Sequence, residues 1–322
     1  MTTTAPLPKG VFFDSDRGIV VEGIVARGMP THPLGARPGK GYNSVAFNYL
    51  AGNSVLTAFL AGIEPGGTKC GHRHFDETLS YVVAGRGSSE FRQLDDRPLT
   101  RVSWSQGDLL AIPTNAWHHH FNGPDEGRLL SFKNAPAIQR LIGFADEDNH
   151  ADLRLRDRFD DEPDFFTRAE VQPDGSIRTN FLAQVGTSPV PAPDPTLGEG
   201  VSRQRYVMGG HRTLSVDVVS IQPGGTFDTY RPLAEEGILI LKGNGLTRLF
   251  SADGARSEVE WSAGDLVSPP FYVSRQHQNL GNEEMRLLCV RNTFVEVGLG
   301  FSVGQFDRHL PDRFPEVADV GA

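Results

Sequence analysis

Residues 65–87 read PGGTKCGHRHFDETLSYVVAGRG, and residues 223–245 read PGGTFDTYRPLAEEGILILKGNG, the same framework 158 positions further on. Pro65-Gly66-Gly67-Thr68 recurs as Pro223-Gly224-Gly225-Thr226, and Gly85 and Gly87 recur as Gly243 and Gly245. Downstream, Trp104-Ser105-Gln106-Gly107-Asp108-Leu109 matches Trp261-Ser262-Ala263-Gly264-Asp265-Leu266. Arg128-Leu129-Leu130 and Asn134 match Arg286-Leu287-Leu288 and Asn292. Separate patches kept in one order over so long a period indicate a duplicated domain, not a solenoid of small repeats.

Within each copy the pattern is that of strands. Residues 79–83 and 238–241 are short apolar runs closed by a glycine turn, and 107–113 and 264–270 each read as turn, strand and proline break. With 36 Gly and 22 Pro in 322 residues, the chain favours many short strands over long helices.

Net charge is −9, and no Lys/Arg cluster suggests a nucleic-acid or anionic-membrane surface. The two cysteines, Cys70 and Cys289, form no C-x-x-C pair, which excludes a disulfide scaffold and suits a reducing cytosol. The N-terminus lacks the basic start and apolar core of a signal peptide. No run approaches the ~18 apolar residues of a membrane span. A cytoplasmic protein is expected.

The chemistry concentrates in the first copy. His72-Arg73-His74 precedes an apolar run, and residues i and i+2 of a strand share a face, so both imidazoles can converge on one ion. Further on, His118 stands five residues after Pro113 and four before Asn122. His120 shares the face of His118 and is a candidate acid–base or hydrogen-bonding group, whereas His119 faces the other way. Trp117 and Phe121 read as packing. Cys70 has the parity of His72 and is placed at the border of the cavity or in the core.

Gly66/Gly67, His72, His74, Gly85, Gly107, Pro113, His118 and Asn122 stand in the register of the two motifs of the cupin superfamily, which the chain resembles over most of its length. The resemblance implies an all-β fold of two tandem cupin barrels (double-stranded β-helices, or jelly rolls) with short helices in the linker and termini. Residues 46–140 then form a metal-binding barrel on His72, His74 and His118, and 203–310 a degenerate second barrel. An arm at 1–45 packs on its own or a neighbouring subunit. The linker, 141–202, carries an acidic stretch around Phe159, Phe165 and Phe166, docked as a short helix or a loop, and a Pro-rich extended run at 187–198. Residues 311–322 are a tail.

One departure is chemically loaded. Counting four residues from the second histidine, or seven back from the closing glycine, the superfamily's usual glutamate ligand falls on Thr78. Glu77 is adjacent, but a slip of one residue turns a strand side chain to the other face, so only a rearranged loop would bring it in. Three imidazoles without a carboxylate leave room for a bidentate anion and O₂ on Fe(II). Imidazole also suits Zn, Cu and Ni, and Mn less well without a carboxylate. In the second copy Tyr230, Pro232 and Arg275 stand at the ligand positions and His277 opposite His120, so that barrel is expected to hold no ion.

Among two-barrel cupins, His72-Arg73-His74, Thr78 and Trp117-His118-His119-His120 with Asn122 resemble the gentisate/salicylate/1-hydroxy-2-naphthoate 1,2-dioxygenase group. That implies Fe(II), ring cleavage of a small substrate by O₂, a homodimer or homotetramer, and His120 beside the ligands. The group's carboxylate-binding arginine falls on Ser80, which a hydroxyl does not replace, leaving Arg92 or Arg101 as substitutes. Three readings stay open: an iron dioxygenase acting on a hydroxylated aromatic or enol-like molecule, a metal-dependent lyase, isomerase or hydrolase that does not use O₂, and a non-catalytic small-molecule-binding protein.

Overall fold

The computed structural model describes residues 19–20, 23–37, 41–47, 50–142, 154–251 and 254–293. The start of the arm, residues 143–153 and everything after 293, the tail at 311–322 included, lie outside the described residues. Among the described residues the regular structure is strands, apart from an α-helix Ala135–Ile142 and a 3-10 turn Val185–Thr187. Among the described residues no helix is long and apolar enough to cross a membrane.

The first copy folds as two sheets. One orders Ile19–Val20, Asn43–Ala46, Thr57–Ile63, Gly127–Lys133, Thr78–Ala84, Leu109–Ile112 and Phe181–Leu182; the other orders Thr68–His72, Trp117–Asn122, Arg86–Arg92 and Thr100–Ser105. The period of two is visible in Trp117–Asn122, where His118, His120 and Asn122 are buried and the residues between them half-buried. Asn122 donates from Nδ2 to the carbonyls of Ile63, Glu64 and Asp125, pinning a turn, and Asn279 does the same for Ile221 and Glu283. In the second copy Leu214–Tyr230 runs as one long strand, pairing first with Met285–Asn292 and then with Ser274–Asn279.

Alternation along the strands gives each copy two apolar faces. Ile63, Val82, Phe91, Trp104, Leu110 and Leu129 fill the inside of the first barrel, and Val219, Ile221, Ile238, Trp261 and Leu287 that of the second. The reverse faces meet each other: Leu60, Leu79, Leu130 and Phe132 join Val216, Val218, Leu239 and Leu288 in one shared core. Each such side chain contributes about 1.5–3 kcal/mol on full burial.

Leading segments are exchanged. The arm strand Val25–Ala26 pairs with Leu266–Val267 of the second copy, and the linker strand Phe181–Leu182 pairs with 109–110 of the first. Asp265 accepts from the backbone N–H of Gly28, and Asp108 from that of Gln184, so the Gly-Asp turn of each copy anchors the incoming strand. The described part of the arm thus packs on its own chain, where it covers a sheet edge that would otherwise be unpaired. The linker aromatics dock as a loop: Phe159, Phe165 and Phe166 are buried, with Phe166 4.8 Å from Phe91.

Two carboxylates reciprocate across the shared core. Glu77 accepts from the backbone N–H groups of Arg212, Thr213 and Leu214 and from the Thr213 hydroxyl. Glu235, its counterpart in the repeat, accepts from Ser54, Val55 and Leu56 and from the Ser54 hydroxyl. Burial pushes the Glu77 carboxyl up, but His211 and the N–H donors outweigh it and hold it below the ordinary 4.5. Its stabilisation is then fully present above that pH and lost as pH falls through it.

Replacing Glu235 or Glu77 by Ala strands four donors, three of them backbone N–H groups, and should cost about 3 kcal/mol or more, read as a lower urea midpoint; an unchanged midpoint contradicts the clamp. The gap between wild type and Glu77→Gln should narrow as urea midpoints are measured at progressively more acid pH.

Candidate metal centre

Three imidazoles meet at one end of the first barrel. His72 closes its strand, His74 follows it, and His118 lies opposite His72 on the neighbouring strand. Ring centroids are 4.3 Å apart for His72 and His118, 4.7 Å for His74 and His118, and 5.5 Å for His72 and His74. One ligand nitrogen from each lies within 4.8 Å of the others.

The hydrogen bonds orient the rings. Nδ1 of His72 lies 2.8 Å from the Cys70 carbonyl, that of His118 2.9 Å from Ala116 O, and that of His74 3.2 Å from Asp76 O. A carbonyl only accepts, so each Nδ1 carries the proton and each Nε2 keeps its lone pair, that of His74 lying 3.4 Å from the Lys133 ammonium. Burial, with smaller contributions from neighbouring cations and imidazoles, holds His72 and His74 well below 6.5, and burial brings His118 down to about 3. Neutral imidazoles are what a divalent ion requires, and this donor set fits one.

Backbone around the ligands is tied down. Arg73, between the two histidines, donates to the carbonyls of Gln93 and Asn115 and pairs with Asp95 at 2.9 Å. The Asn115 N–H donates to His74 O, from a left-handed conformation that asparagine tolerates. Phe91 stacks behind His118 at 6.2 Å.

Glu77 is engaged by the second barrel, as above, and does not join the cluster. Thr78 donates to Asp76, whose carboxylate also lies 3.3 Å from His74 Nδ1 and 3.0 Å from the Lys133 ammonium. Among the described residues, no carboxylate completes the group of three.

His120 is buried beside His118, centroids 5.5 Å apart. Trp104 Nε1 donates to Ser89 Oγ, and that hydroxyl lies 2.7 Å from His120 Nδ1. A hydroxyl that accepts from the indole keeps a second lone pair and its own proton, so the contact holds the imidazole in place in either tautomer. The second barrel repeats the relay: Trp261 donates to Thr247, Thr247 meets His277 Nδ1, and His277 Nε2 meets the Tyr230 hydroxyl, which donates to Glu236.

The remaining expectations divide. His119 lies between Trp117 and Phe121 on the outer face, as its parity requires. Arg92 covers Trp117 and Arg101 is 71% exposed beside Glu90; both lie outside the barrel, so neither replaces the arginine missing at Ser80. Cys70 is exposed, not part of the core. A bulge sets His118 opposite His72 but His120 opposite Lys69, so Lys69 turns inward in its stead. Lys69 is buried, 5.0 Å from the Tyr42 ring centroid, and its charge reaches all four imidazoles. Neither Lys69 nor Lys133 belongs to a motif that marks it in the sequence. Lys133 was findable, because the repeat sets it opposite Arg291.

Removing His118 by substitution with Ala should abolish metal retention, while His120→Ala should keep the metal. Elemental analysis of protein purified without a chelating tag checks this, and equal loss in both contradicts the division of roles.

The cupin domain profile matches residues 59–132, which contain all three histidines. The 5-aminosalicylate 1,2-dioxygenase of a Comamonas species is 29% identical over 89 residues, 28% of this chain and 22% of that enzyme. The matched stretch thus spans under a quarter of the relative's length. Among solved structures, the oxalate decarboxylase of Bacillus subtilis at pH 4.6 superposes with TM-score 0.55 at 15% identity, covering 88% of this chain and 84% of that one. The Lactobacillus farciminis oxalate decarboxylase formate complex gives 0.56 at 16%, covering 88% and 96%. At such identities the likeness speaks for the fold, and it extends over both barrels. Residues 59–132 thus match a cupin domain, and the chain as a whole has the two-barrel fold of those solved structures.

Proposed function

We propose that the first barrel holds one Fe(II) on His72, His74 and His118 and uses O₂ to cleave or oxygenate a small hydroxylated aromatic or enol-like molecule. The observation that carries this reading is the convergence of three neutral imidazoles, one ligand nitrogen from each within 4.8 Å of the others, with the nearest glutamate bound elsewhere. An ion so held supplies open positions at which a bidentate anion and O₂ can lie side by side.

The protein's own groups do the rest. The carbonyls of Cys70, Asp76 and Ala116 keep the three rings aimed. Phe91 and the linker aromatics exclude water behind His118. His120, neutral because burial and the nearby Lys69 charge depress its pKa, is held by Ser89 through Nδ1 and can serve as a hydrogen-bonding or proton-transfer group toward the substrate. The dioxygenase relative, matched over 89 residues, supports the reading.

Protein loaded anaerobically with Fe(II) and then mixed with O₂ and a panel of hydroxybenzoates and catechols should consume O₂ with at least one of them, and His120→Ala should lower that rate by about 10²-fold or more. Turnover without O₂, supported equally by Zn or Mn, would instead identify a lyase, isomerase or hydrolase. Ligand-induced melting shifts with no turnover under any metal would identify a binding protein.

A further inference from the structure

The sequence repeat runs on past the second barrel. Asp307, Leu310, Asp312, Arg313 and Phe314 stand at the spacing of Asp152, Leu155, Asp157, Arg158 and Phe159 in the linker. Leu155 follows Asn134 by 21 positions, and Leu310 follows its counterpart Asn292 by 18. Each copy of the pattern therefore comes after the last strand of its own barrel.

In the first copy this pattern is a dock. The Leu155 carbonyl accepts from the N–H groups of Arg158 and Phe159, and the turn buries Phe159 with its ring 4.8 Å from Phe165. Both rings join Ile112 and Ala116 of the barrel rim in one apolar cluster. Arg158 Nη1 lies 3.3 Å from Glu77, and the Arg158 backbone crosses so close to Gly210 that a Cβ there would stand 3.3 Å from Arg158 Cα. The adjoining rim residues Thr114 and Asn115 are buried.

The receiving surface is repeated too. Glu235 stands for Glu77, and Gly52 for Gly210 in the same left-handed backbone, φ 78° against 65°. Among the described residues no guanidinium meets Glu235, and a Cβ at Gly52 would find open space. The rim recurs as Phe271 and Tyr272, larger and more apolar than Thr114 and Asn115, yet these are 44% and 37% exposed. Tyr272 even keeps the left-handed backbone of Asn115, which is costly for an aromatic residue and persists where packing over-determines it. We propose that residues 310–314 dock on the second barrel of the same chain as 155–159 dock on the first. Phe314 covers the rim at Phe271 and Tyr272, and Arg313 pairs with Glu235. The chain is long enough: eight of the 21 linking residues in the first copy are helix, rising ~1.5 Å each, so 18 extended residues at ~3.3 Å reach as far.

Disulfide trapping in the full chain tests the dock. A Cβ at Gly210 would stand 3.5 Å from that of Arg158, within bridging range. In a Cys70→Ser background, Gly210→Cys with Arg158→Cys calibrates the yield on oxidation with diamide. Gly52→Cys with Arg313→Cys should then give a comparable bridge within one chain, identified by mass spectrometry of unreduced peptides. No bridge in the second pair where the first forms, or a bridge joining two chains, overturns the docking. A second measurement avoids the strain of cysteine at a left-handed position. Phe314→Asp should raise amide exchange at Tyr272 and Val273 roughly tenfold or more, and leave Asn115 and Ala116 unchanged. If either cysteine pair fails to fold, or the calibrating bridge does not form, exchange decides, and equal rates at Tyr272 and Val273 in wild type and Phe314→Asp overturn the docking.

Discussion

Glu77 stands one residue before the place where an acid would complete the ion's coordination, and its carboxylate is held instead by the N–H groups of residues 212–214. Strand parity forbids a side chain from serving both faces of a sheet, so a glutamate facing the neighbouring barrel is lost to the barrel interior. The buried carboxylate that helps to fix the two barrels against each other therefore also leaves the ion position with nitrogen donors only. Glu235 repeats the contact in the opposite sense, and the clamp is symmetric although the interiors it joins are not.

The asymmetry of the interiors has a physical origin. In the second barrel Tyr230, Phe227, Ile238 and Cys289 occupy space that in the first belongs to His72, Lys69, Ser80 and Ser131. Its buried charges are mutually neutralised, Glu236 meeting Arg275 and Arg291 and Asp217 meeting Arg291, so the interior is closed core. A pair of this kind is poor evidence for stability in itself, because desolvation offsets much of the attraction, but removing one partner would strand the other. The first barrel keeps the small hydroxyl side chains of Ser80 and Ser131, with Lys69 and Lys133, in the matching rows. The hydrogen-bond relay from tryptophan through a hydroxyl to a histidine survives in both, and in the second barrel its far end is capped by Tyr230 and Glu236.

Much of this was legible in the sequence because it is local. The repeat, the three histidines at strand spacing, the threonine in the acid's position and the loss of ligands at Tyr230, Pro232 and Arg275 all follow from short counts along the chain. Less local features were hidden. The bulge that turns Lys69 inward and Cys70 outward breaks the parity on which the reading relied. Arg92 and Arg101 belong to strands whose facing depends on pairing registers that no single stretch determines. Two-residue strands such as Val25–Ala26 carry no periodic pattern, so the arm's destination could not be read either.

The exchange of leading segments makes the two halves of the gene product inseparable in a mechanical sense. Cutting the chain between them would leave the first barrel without the strand that borders 109–110, and removing the N-terminal arm would bare the border at 266–267 of the second. Each half excised alone would thus present a raw seam able to zip onto other molecules. Assembly must also await chain segments far apart in synthesis order, which raises contact order and slows the search for the native state. A duplication that began as two independent modules has in this way become a single obligate folding partnership.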